Sequence, residues 1–139
     1  MAAGDAIGIF DSGVGGLTVL HALAEEGWVE GPIARGVVET YLATLRHSGI
    51  DTLVLGCTHY PLLKPLIAEV MGAGVVLVDS AEETARAVGA ELAAQGLARR
   101  DGAGSASFFV TDVPDRFIRI GRRFLGTRIE SAVRIERLA

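Results

Sequence analysis

Apolar positions along the chain follow two alternating rhythms. Short unbroken runs of strand length occupy residues 7–10, 53–55, 75–78 and 108–110, and an apolar–polar alternation covers 132–138. Between these runs the apolar residues recur at helical spacing, first over 17–23. Pro32 stands where a helix to about His47 begins, and Pro61 where one to about Met71 begins, because proline at the first helical position gives up no needed donor. Ser80-Ala81-Glu82-Glu83 reads as a capping box opening a helix that Gly96 closes, and a helix from Pro114 to Leu125 ends at Gly126 in the same way. Strands alternating with helices predict an α/β fold, a parallel sheet flanked by helices and covered on both faces. The glycine-rich stretch 99–107 reads as a surface loop.

Composition narrows the classes of partner. The chain has 139 residues, half of them hydrophobic, which fits one domain over 1–139 with a core of its own. A net charge of -4 offers no field for nucleic acid, so the expected partner is a small molecule. No apolar run reaches the roughly 20 residues that span a bilayer, so no membrane partner is expected. The single cysteine excludes an internal disulfide, and Met1-Ala2-Ala3-Gly4-Asp5 lacks the basic and long apolar regions of a secretory leader. A cytoplasmic setting is expected.

Parallel sheets bind ligands outside the carboxyl ends of their strands, so the turns after each strand carry the candidate chemistry. Three are polar: Asp11-Ser12-Gly13, Cys57-Thr58-His59 and Asp79-Ser80. Cys57 has two readings, a small core side chain or a reactive thiol. Gly56 permits close approach of a ligand, Thr58 adds a hydroxyl, His59 supplies an acid or base, and a helix N-terminus behind them stabilises negative charge. The run Asp11 to Gly16 stops short of a dinucleotide fingerprint, since Thr18 stands where the third glycine belongs and Asp11 opposes a pyrophosphate. Its glycines suit either an ordinary capped turn or a ligand carboxylate held by backbone N–H groups. Asp79-Ser80 reads first as a helix cap, and Glu25 and Glu26 as a solvated helix end. His21 and His47 lie in helix-type sequence without metal-ligand spacing, so both read as surface residues and no metal is expected.

Two blocks, Ile7-Gly8-Ile9-Phe10-Asp11-Ser12-Gly13-Val14-Gly15-Gly16-Leu17-Thr18-Val19 and Leu53-Val54-Leu55-Gly56-Cys57-Thr58-His59-Tyr60-Pro61-Leu62-Leu63, closely resemble the signatures of the glutamate racemases. The similarity extends through 78–85, more weakly through 114–126, and to Glu25-Glu26-Gly27. Residues 1–23 resemble the family's N-terminal block and 24–139 its C-terminal half. The resemblance implies an aspartate/glutamate racemase-like fold and a cofactor-independent isomerase, interconverting L- and D-glutamate for peptidoglycan. It implies that Cys57 is the second of two paired cysteines and His59 its proton partner. Asp11 would assist the first cysteine and Glu25 would match the acidic residue near the second, while Ser12, Gly13 and Thr58 hold substrate.

The departures from the family matter as much. Its A-C-N-[TS]-A-S block, which carries the first cysteine, appears nowhere in the chain, and neither does its P-Y-G motif. The helix ending near Leu23 runs straight into Ala24-Glu25-Glu26-Gly27, which reads as an internal deletion at that junction. One thiol cannot reach both faces of an α-carbon, so two-base racemisation should fail while proton exchange on one face survives. Three alternatives stand beside this: a non-catalytic binding module, a racemase of aspartate or another amino acid, and a homo-oligomer that faces two Cys57 thiols across a shared site.

Overall fold

The computed structural model describes residues 6–10, 18–99, 101–102 and 104–136. The chain divides into two compact units, Met1–Ala98 and Arg99–Ala139. In the first, strand β1 (Ala6–Phe10) is followed by helices α1 (Thr18–Glu26) and α2 (Gly31–Arg46), strand β2 (Ile50–Leu55), helix α3 (Lys64–Met71), strand β3 (Val76–Asp79) and helix α4 (Ser80–Ala94). The three strands form one parallel sheet in the order β1-β2-β3. The expected parallel sheet flanked by helices is therefore present.

Register decides which side chains share a face. Gly8 pairs with Leu53 and Leu53 with Leu77, so these point to one side, as do Phe10 and Leu55. Against this face the helices lay narrow apolar stripes. Leu20 and Ala24 of α1 sit one turn apart, Ala34, Val38 and Leu42 of α2 recur every fourth residue, and α3 adds Leu66, Ile67 and Val70. All join the sheet residues in one buried cluster, in which the Phe10 and Tyr60 rings stack with centroids 4.7 Å apart.

The opposite face corrects an expectation. Ile7, Ile9 and Val76 alternate with the buried positions, and they are 58%, 70% and 64% exposed. Parallel sheets are ordinarily covered on both sides. Here α4, the helix that follows β3, buries none of its residues, so the second face keeps apolar side chains in contact with solvent.

Two helix starts differ from expectation for local reasons. The helix expected from Pro61 begins as a 3-10 turn, Tyr60–Leu63, and only then becomes α3. Pro65 has no N–H to give the Pro61 carbonyl, so Lys64 donates there instead and the α-helix restarts behind it. In α4 the capping side chain is Asp79 and not Ser80, which is already helical. The Asp79 carboxylate accepts the N–H groups of Ala81 at 2.9 Å and Glu82 at 3.4 Å.

The second unit holds a two-stranded parallel pair, β4 (Phe109–Val110) and β5 (Val133–Arg134), joined through helix α5 (Pro114–Leu125). The strands are shorter than the runs at 108–110 and 132–138, and residues 137–138 lie outside the described residues. Ile129 is fully buried over Gly121, where a Cβ would come within 2.8 Å of its Cδ1. Among the described residues no helix is long and apolar enough to cross a membrane.

Candidate functional site

The three strands of the sheet end level, with Phe10 opposite Leu55 and Leu55 opposite Asp79. The Gly56 N–H extends the ladder by donating to the Phe10 carbonyl at 2.8 Å. The turn after β2 thus starts beside the end of β1. Asp11, Ser12 and Gly13, which follow β1 in sequence, lie outside the described residues.

Cys57 packs as a core side chain just past the end of β2. Its side chain is 6% exposed and packs in the apolar cluster, while Sγ accepts the backbone N–H of His59 at 3.5 Å. The Tyr60 N–H closes the turn on the Cys57 carbonyl at 3.2 Å. Thr58 is exposed, and its Oγ1 lies 3.3 Å from His59 Nδ1.

The other ring nitrogen of His59 faces α1. Glu25 Oε1 lies 3.9 Å from His59 Nε2 and equally 3.9 Å from His21 Nε2. The two imidazoles meet edge to face, with centroids 4.1 Å apart and planes crossing at 88°. Burial is the main force pushing the His59 pKa below its ordinary 6.5, helped by His21 and opposed by Glu25. His59 therefore stands neutral near pH 7, the form that can take up a proton.

Of the residues singled out from sequence, Cys57, Thr58, His59 and Glu25 come together at one place. His21 joins them, which corrects its reading as a surface residue: it is half-buried against His59. The missed signal was its four-residue separation from Glu25, which puts both on one face of α1. One donor atom from each of His21, Glu25 and His59 lies within 4.8 Å of the others, so these three could hold a metal ion. Asp79, at the end of the third strand, is occupied as the cap of α4, with Lys64 Nζ 3.7 Å from its other oxygen.

Fold and site together define an α/β domain that carries a thiol, a neutral imidazole and a carboxylate beside the carboxyl edge of a parallel sheet. No family model matches the chain. It is 55% identical over 108 residues to the glutamate racemase of Geobacter metallireducens, an alignment covering 77% of this chain and 40% of that protein. With the enzyme of Syntrophus aciditrophicus the identity is 45% over 119 residues, covering 85% and 44%. The structure of glutamate racemase from Thermus thermophilus, in complex with β-chloro-D-alanine, superposes with a TM-score of 0.75 at 39% identity over 85% of this chain and 45% of that one. Glutamate racemase from Francisella tularensis, in complex with D-glutamate, gives 0.73 at 31% identity, covering 84% and 44%. The chain is similar to the glutamate racemases and spans about two fifths of the length of the curated relatives it matches.

Proposed function

We propose that the chain is a racemase-like domain that binds glutamate at the carboxyl edge of the sheet and exchanges the α-proton on one face only. The observation that carries this reading is the joining of Cys57, His59 and Glu25 from two separate elements into one group. As a thiolate, Cys57 takes the α-proton, and the C–H electron pair moves into the adjacent carboxylate to give an enediolate. His59 passes protons between that thiol and solvent, with Glu25 setting the ring's orientation. The thiol then returns a proton to the same face, so configuration is retained. The chain holds one cysteine, and the opposite face has no second thiol.

Around this step Thr58 offers a hydroxyl to the substrate, and Asp11, Ser12 and Gly13 are assigned to the same site on their sequence motif alone. The balance of the step needs no cofactor. The D-glutamate in the Francisella relative supports glutamate as substrate. The test is to incubate the chain in heavy water with D- or L-glutamate separately, following the α-proton by NMR and inversion by circular dichroism. One enantiomer is expected to lose its α-proton signal without change of optical activity, and Cys57→Ala to abolish the loss. Exchange of neither enantiomer overturns the catalytic reading, and exchange of aspartate in preference to glutamate moves the substrate.

A second reading rests on the exposed Ile7, Ile9 and Val76, an apolar sheet face suited to association with another copy of the chain. In that case the domain acts as an interaction module. Self-association without α-proton exchange would favour it.

A further inference from the structure

We propose that His21, Glu25 and His59 form a binding site for a divalent transition-metal ion of the zinc or cobalt type. Imidazole nitrogens and a carboxylate oxygen are the borderline donors such ions prefer. The set comes from two elements: His21 and Glu25 four residues apart on α1, and His59 from the turn after β2. The i, i+4 spacing puts two ligands on one helix face, and the third closes the site from across the fold. A tetrahedral ion with bonds of about 2.1 Å holds its ligands about 3.4 Å apart, so each 3.9 Å nitrogen–oxygen separation needs to close by only about 0.5 Å.

The surroundings of His59 suit a ligand as well as the distances do. Binding through Nε2 requires the hydrogen on Nδ1, and Thr58 Oγ1 lies 3.3 Å from that nitrogen to accept it. This is the outer hydrogen bond that fixes tautomer and ring plane in metal sites. Three protein ligands leave a further position open on the ion. The site shares His59 and Glu25 with the proposed proton-exchange group, and its readouts are spectroscopic and need no turnover.

The test uses the whole chain stripped of metal by a chelator. Titration with Co2+ is expected to give visible absorption saturating at one ion per chain, displaced by Zn2+. In NMR titrations with Zn2+ the ring protons of His21 and His59 should shift while those of the exposed His47 stay in place. His21→Ala, a residue outside the proposed proton-exchange group, should weaken Co2+ binding at least about tenfold, and His47→Ala should leave it unchanged. Unshifted His21 and His59 signals in the unaltered chain overturn the proposal, as does equal weakening by His47→Ala. The NMR arm needs no variant to fold.

Discussion

Asp79→Ala separates two ways of starting α4. The Asp79 carboxylate accepts two N–H groups of the first turn, and α4 buries none of its 15 residues. The helix is held by its cap and by surface pairs such as Arg86 with Glu82 and Glu83, each worth a few tenths of a kcal/mol. Removing an acidic cap costs about 1 kcal/mol. The Lys64 ammonium, 3.7 Å away and partly exposed, adds less than about 1 kcal/mol. The sum is about 1.5 kcal/mol, roughly 6–12 °C in midpoint for a cooperative unit of this size. Asp79→Asn keeps an acceptor and should lose under about 0.5 kcal/mol. Ser80→Ala, at a position that is already helical, should stay within about 0.5 kcal/mol of the parent. Thermal unfolding followed through the single tryptophan, Trp28, reads the first unit alone. A Ser80→Ala cost equal to that of Asp79→Ala would refute the assignment.

Two further outcomes test the site and the sheet. The folded His59 pKa lies below its ordinary 6.5, so as pH falls from 6.5 toward that lowered value the unfolded chain takes up a proton that the folded chain refuses. Stability should therefore decline across that interval and level off below it. His59→Gln, which leaves His21 and Glu25 in place, should flatten this part of the profile in urea midpoints measured from pH 7.5 to 5, and an unchanged slope would count against a neutral buried ring. Replacing Ile7 and Ile9 by threonine on the uncovered sheet face should change stability by under about 0.5 kcal/mol per residue while reducing self-association in sedimentation velocity. Equal association of parent and variant would show that this face is not the contact.

Local chemistry made much of the fold legible. Apolar runs located β1, β2 and β3 to within a few residues, and the proline and glycine around 114–126 bounded α5 at both ends. The restart at Lys64 was also written in the chain, because Pro65 removes a donor four residues after Pro61. The bare face of the sheet was not legible. Alternation at Ile7 and Ile9 reads the same whether or not anything covers them, since coverage depends on elements elsewhere in the fold. His21 was hidden for a related reason. Its spacing to Glu25 is local, but His59 reaches the pair only when the turn after β2 packs against α1.

That packing turns on α1, which runs unbroken over Thr18–Glu26 and contributes Leu20 and Ala24 to the same buried cluster. The helix then closes on itself, Gly27 donating to the Ala24 carbonyl at 3.1 Å and Trp28 to that of Leu23 at 2.8 Å, with Gly27 at a φ of 82° that favours glycine. Each helical residue turns the chain by about 100°. The observed spacing therefore meets two requirements at once: it keeps Leu20 and Ala24 inward, and it aims His21 and Glu25 together at His59. Glu25 owes its place beside His59 to the register of α1. The same register sets His21 on that face, so the cluster of two imidazoles and a carboxylate is fixed by one helix and by the turn after β2.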